Sequence, residues 1–131
     1  LHLVKIAVGA SSVEDMQAWV DGHVRRRARA GAAPASTHDT RMWPKRADEL
    51  LAGGSLYWVI RGSILVRQTL TGLEPVRDAS GKPLCRLVLG PDLVRTEPRA
   101  KRPFQGWRYL TAEDVPPDLS LSAAQASPEL T

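Results

Sequence analysis

The sequence predicts an α+β fold: a small, mainly antiparallel sheet that curls or closes into a PUA-like barrel and is covered by two helices. Two patterns carry this reading. Six or seven short stretches alternate apolar and polar residues with a period of two, and most follow one another with only turns between them. Only two stretches show the spacing of an amphipathic helix. At 131 residues the chain can bury one core without covalent staples, and residues 1–119 read as a single globular domain.

The first strand is carried by Leu1, Leu3, Val4, Ile6 and Val8, and Gly9 ends it. Ser11-Ser12-Val13-Glu14 has the form of a capping box, so a helix follows to about Ala28. Val13, Met16, Val20 and Val24 form its apolar stripe, with Trp19 and His23 at the edges. Arg25, Arg26, Arg27 and Arg29 crowd its last turns, where cations suit the helix dipole and could equally contact phosphate. Residues 30–40, AGAAPASTHDT, read as a mobile loop, and without a neighbouring Ser or Cys motif His38 and Asp39 read as ordinary loop residues.

Pro44 suits the first position of a second helix that begins near Trp43 and stops at Gly53-Gly54. Ser55 to Ile60 and Ile64 to Leu70 then alternate on either side of Arg61-Gly62, the pattern of a hairpin. Leu73 to Arg77 and Leu84 to Leu89 predict another hairpin across Ala79 to Pro83. Leu93 to Thr96 is a brief extended piece, and RAKR between Pro98 and Pro103 reads as an irregular exposed connection. Trp107 to Leu110 is the closing strand, and residues 120–131 read as a flexible tail.

The net charge of +4 is unevenly spread. Residues 111–131 hold four acids and no Lys or Arg, which leaves 18 cations against 10 acids, or +8, on residues 1–110. Such a body favours a polyanionic partner, and RNA or another nucleic acid fits better than a membrane because no basic amphipathic membrane helix accompanies the charge. No apolar run has the length of a membrane span, and LHLVKIAVG is too short and alternating for a signal peptide. Cys85 is the single cysteine, consistent with a reducing cytoplasm. The three histidines have no ligand spacing, so neither a metal nor any other cofactor is indicated. The sequence leaves the oligomeric state open.

The blocks LHLVKIAVG, WPKRADELLAGGSLYWVIRGSILVRQ, LVLGPDLV and RPFQGWRYL resemble an alphaproteobacterial family known only as a domain of unknown function, number 1489. That resemblance implies a bacterial cytosolic setting and brings no activity. A looser resemblance, in the short helix and glycine turn that lead into strands, is to PUA-like barrels of the ASCH and EVE groups, which implies RNA or modified-base binding. The ASCH pattern Gly-x-Lys is absent here, since Gly54 is followed by Ser55-Leu56, so no catalytic residue carries over.

The candidate nucleic-acid contacts are two groups that mix cations with rings: Arg41, Trp43, Lys45 and Arg46, and Arg99, Lys101, Arg102, Trp107 and Arg108 with Phe104. Cations give salt-sensitive phosphate contacts and a flat ring stacks a base. Of Trp43, Phe104 and Trp107, at least two should be buried, which leaves one ring for a ligand. Tyr57 and Arg67 join the set as cross-strand neighbours if the hairpin pairs in the expected register. Gln68, pointing inward among Ile64, Val66 and Leu70, must find a buried partner or line a polar pocket. The alternatives are a metal-independent hydrolase acting on a nucleotide or RNA, which requires Lys45, Tyr57 and Arg67 to converge, and a protein-interaction module. No residue is assigned as catalytic.

Overall fold

The computed structural model describes residues 1–119, and the tail predicted at 120–131 lies outside them. In chain order the elements are β1 (His2–Ile6), α1 (Val13–Arg29), β2 (Ser36–Thr40), α2 (Ala47–Leu51), β3 (Ser55–Ile60), β4 (Ser63–Arg77), β5 (Pro83–Leu89), β6 (Val94–Ala100) and β7 (Trp107–Leu110). The seven strands make one sheet in the order β2-β5-β4-β3-β1-β7, with β6 also pairing β4.

The α+β class with two helices holds, but the barrel does not. The sheet is open: β2 and β7 end the strand order and are not paired to each other, so neither the curled sheet nor the PUA-like barrel is formed. It is also mixed, because β1 and β3 lie side by side in parallel, Leu3 opposite Leu56 and Lys5 opposite Trp58. Parallel neighbours cannot be joined by a tight turn and need a long crossover. Here the crossover contains α1, β2 and α2. Alternation within single strands carries no record of that pairing.

Each helix follows from local chemistry. Ser12 caps α1, its Oγ accepting from the Asp15 N–H at 3.0 Å, and the Asp15 carboxylate accepts both the N–H and the Oγ–H of Ser11. Glu14 and Asp15 in the first turn and Arg26, Arg27 and Arg29 in the last agree with the helix dipole. The second helix is shorter than its sequence signals suggest and begins at Ala47, not near Trp43. The reason is tertiary: the Arg46 N–H donates to the Tyr109 hydroxyl and the Met42 carbonyl accepts from Trp107 Nε1, so residues 42–46 are held along β7.

Two further expectations need correction. The segment 30–40 is not a loop throughout, because Ser36–Thr40 pairs antiparallel with β5, with Ser36 opposite Leu89 and Thr40 opposite Cys85. Residues 73–77 belong to the same long strand as residues 63–70, and RAKR is partly strand, since β6 runs to Ala100. The Arg61-Gly62 turn is as predicted, with φ of 52° and 83°, the mirror-image geometry that suits a tight hairpin.

Apolar residues cover both faces of the sheet. Leu3, Leu50, Leu56, Trp58, Val66, Leu70, Leu87 and Leu89 pack with Met16 of α1 on one face, and Val4, Tyr57, Val59, Ile64 and Leu110 pack with Phe104 and Val115 on the other. This is why every residue of β3 is buried. No helix among the described residues is long and apolar enough to cross a membrane.

Candidate functional site

A concavity lies where β1 ends. Lys5 of β1 and Trp58 of β3 are register partners and line a cleft of about 450 Å³. Trp19 from α1 and His38 from β2 line it, and Ala7 to Ala10, Asp15 and Met16 complete the rim. In open sheets with parallel strands, ligands settle beyond the strand carboxyl ends, and this cleft occupies that place next to β1. The rings define its shape. His38 meets Trp58 edge-on with centroids 5.2 Å apart and Trp19 at 6.5 Å, while His23 extends the aromatic surface along α1 at 4.5 Å from Trp19.

Two features hold this arrangement in place. The Trp58 indole is nearly fully buried, and its Nε1–H donates to Gln68 Oε1 at 2.9 Å. Gln68 Nε2 in turn donates to Ser36 Oγ at 2.8 Å and the Gly90 carbonyl at 3.0 Å. The inward Gln68 therefore has the partners its position demands, and its amide ties the strand bearing Trp58 to β2, which carries His38 two residues beyond Ser36. The loop over the cleft turns at Gly9, with φ of 91°, and leaves Val8 almost fully exposed.

The electrostatics favour a neutral His38 beside a cation. Burial, followed by the charge of Lys5, pulls the His38 pKa down to about 4, and burial also lowers the Lys5 pKa. His38 is thus uncharged at neutral pH and able to stack and to hydrogen-bond. Because the folded value lies below the unfolded one, the unfolded chain binds the extra proton. The stability this contributes is present above about pH 6.5 and declines as pH falls toward about 4, by on the order of 2 kcal/mol after discounting for partial exposure. The His38 ring protons should accordingly titrate with a midpoint near 4 by NMR; a midpoint near the ordinary 6.5 would mean that His38 is solvated and not part of the cleft wall.

The residues singled out in the sequence are distributed over both faces. Trp107 is buried in the face that holds Trp58, stacks edge-on against Tyr109 at 4.9 Å, and is the antiparallel partner of Lys5. Beside it Trp43 is 43% exposed, Lys45 is exposed, and Arg46 lies over the Tyr109 ring at 5.6 Å while pairing with Glu49 at 2.6 Å. Arg41 is drawn away to Asp78, at 2.8 Å, in the turn between β4 and β5.

The opposite face has a different character. Tyr57 and Arg67 are register partners, as expected, and line a shallower cleft with His2, Ser55 and Asp118. The Arg67 guanidinium is already spent: Nε and Nη2 donate to the two Asp118 oxygens at 2.8 and 2.7 Å, and Nη1 to Ser55 Oγ. Lys45 is not among the residues lining that cleft, so the convergence a hydrolase needs is not formed. Arg108 lies over Phe104 at 5.3 Å and donates to the Gln105 and Trp107 carbonyls, and Arg99 donates to the Asp114 carbonyl. Arg102 is exposed, and the Lys101 backbone N–H bonds the Gly62 carbonyl.

Sequence reasoning did not single out Lys5 or Trp58, and it read His38 as an ordinary loop residue. Trp19 at the edge of its helical stripe carried a signal, but nothing in STHDT marks a strand that delivers His38 to the sheet face. Among the described residues there is no group of three or more His, Cys, Asp or Glu side chains positioned to hold a metal ion.

A family model described as a protein of unknown function (DUF1489) matches residues 3–130, a span that includes the segment at 30–40. No curated protein and no solved structure matches the chain.

Proposed function

The chain belongs to the DUF1489 family, and for it we propose nucleic-acid binding in which a single unpaired base enters the Trp19–His38–Trp58 cleft above Lys5. The observation that carries this reading is the joining of two accessible rings, Trp19 and His38, with Lys5 in a cleft of about 450 Å³ that the buried Trp58 backs. Flat aromatic walls suit a heterocycle, and stacking on them contributes about 1 to 3 kcal/mol per base. The lysine selects among flat or ring-bound ligands. A quaternary ammonium, the other common guest of aromatic walls, would meet the Lys5 charge, while the Asp15 carboxylate at the rim already accepts from the Ser11 N–H and Oγ–H; a base offers its ring-nitrogen acceptors to the Lys5 donors. The surplus of cations on residues 1–110 adds attraction for the phosphates on either side.

Trp19 tests the proposal without endangering the core, since its ring is 38% exposed on α1. Trp19→Ala should weaken binding of adenosine monophosphate by roughly 5- to 150-fold, the loss of one stacking wall, while the thermal midpoint moves little. Isothermal titration measures both partners directly. Equal affinity of wild type and variant would remove the cleft as the base site.

A further inference from the structure

We infer that the phosphate backbone of the bound strand runs along the C-terminal half of α1, over Gly22 and between Arg25 and Arg26, and not over the Arg41–Arg46 or the Arg99–Arg108 cluster. This rests on the base-binding reading above and adds the path of the chain that carries the base. Three observations lead to it.

The first is continuity. Trp19, His23 and Arg26 are four and three residues apart, so they succeed one another on one side of the helix, beginning at the cleft wall. The helix rises about 10 Å from Trp19 to Arg26, which extends the cationic surface directly out of the cleft.

The second is the state of the guanidinium groups. Arg41, Arg46, Arg67, Arg86 and Arg95 each hold a carboxylate, and Arg99 and Arg108 are committed to backbone carbonyls. Arg25, Arg26 and Arg29 have no carboxylate or carbonyl partner among the described residues, and they lie within one turn of each other. A phosphate approaching them displaces water alone, whereas at the other clusters it must first break a bond. Only Lys45, Lys101 and Arg102 of the sequence-predicted set have side chains without such a partner among the described residues, and they are split between two places.

The third is Gly22 itself. A glycine inside a helix costs about 1 kcal/mol relative to alanine, and no left-handed backbone demands one at this position. Its bare surface holds the guanidinium tips: Arg26 Nη1 is 3.3 Å and Arg25 Nη2 4.0 Å from where a β-carbon would stand. The result is a doubly cationic saddle beside Trp19, open to the two unesterified oxygens of a backbone phosphodiester.

The test compares Arg25→Gln/Arg26→Gln with Lys101→Gln/Arg102→Gln by fluorescence anisotropy on a labelled single-stranded heptanucleotide between 50 and 300 mM salt. Each lost phosphate contact on a single strand lowers the salt slope by about 0.7, so the α1 variant should lose roughly 1 to 1.5 from its slope and bind about tenfold more weakly at the low-salt end. The second variant should keep the wild-type slope. An unchanged slope in the α1 variant, or a loss only in the second variant, overturns the path. Wild-type binding of adenosine, which has no phosphate, separates this failure from the other: if adenosine binds and is blocked by Trp19→Ala while the α1 slope is unchanged, the path alone falls. If adenosine does not bind at all, the base site falls and the path with it.

Discussion

Replacing Gln68 with leucine is expected to destabilise the protein by about 2 to 4 kcal/mol and, in the fraction that stays folded, to weaken base binding several-fold. Leucine matches the volume of the side chain but not its chemistry. The variant would leave the Trp58 indole N–H and the Gly90 carbonyl without the bonds they make at 2.9 and 3.0 Å, in a position with no exposure to water. Ser36 Oγ would lose its partner at 2.8 Å as well, and with it goes the side-chain tie between β4 and β2. Because His38 follows Ser36 by two residues and Trp58 hangs on the same amide, the site loosens with the core. Urea denaturation and nucleotide titration at a temperature where the variant is folded separate the two effects. A variant of wild-type stability would show that water takes over these bonds, and wild-type affinity would show that the network does not hold the cleft.

Gly54→Ala should cost more, about 4 kcal/mol or above, and is the substitution most expected to prevent folding. A β-carbon built on Gly54 overlaps the backbone carbonyl oxygens of Leu50 and Leu1, and both are fixed parts of the structure rather than side-chain tips that can swing away. The same residue donates its N–H to the Leu50 carbonyl at 2.8 Å and accepts from the Leu70 N–H at 2.9 Å. It joins the end of α2 to the start of the β3–β4 hairpin where β1 begins, so relief at one contact disturbs the others. Gly53, with φ of 94° and open space around its β-position, serves as the left-handed stop. The sequence reading gave the glycine pair one role; the structure divides it into a conformational requirement at Gly53 and a steric one at Gly54. Soluble yield and thermal midpoint measure the outcome, and a variant within about 1 kcal/mol of wild type would mean that β1 can withdraw at no great cost.

The local features were legible because they rest on local physics. The helix stripe of Met16 and Val20, the capping serine, the Arg61-Gly62 turn and the inward Gln68 each declare themselves through spacing or residue type. What was not legible depends on partners distant in the chain. The parallel pairing of β1 with β3 places Lys5 beside Trp58, and nothing between residues 5 and 58 announces it. Likewise β2 is five residues of mixed polarity, STHDT, whose buried Ser36 is satisfied by Gln68 from another strand. A short polar strand of that kind is read as loop by any rule based on hydrophobic alternation.

The state of the cations was not legible for a related reason. A run such as RAKR or KR is conspicuous in sequence, but its availability depends on what the fold sets against it. Acids and carbonyls from remote segments occupy Arg41, Arg67 and Arg99, and neighbours within three residues occupy Arg46 and Arg108. The cysteine illustrates the same dependence, since burial pushes the Cys85 thiol up to about 11 and makes it an inert core residue.

The central claim is that a base sits against Trp19 and His38, in the cleft that Trp58 backs. Intermolecular NOEs between the ring protons of bound adenosine monophosphate and the indole protons of the protein measure it most directly. A base in this cleft gives contacts to Trp19 and the His38 ring, with none to Trp43 or Trp107. Contacts confined to Trp43, or to Tyr57 on the other face, would contradict it and transfer the site away from the end of β1.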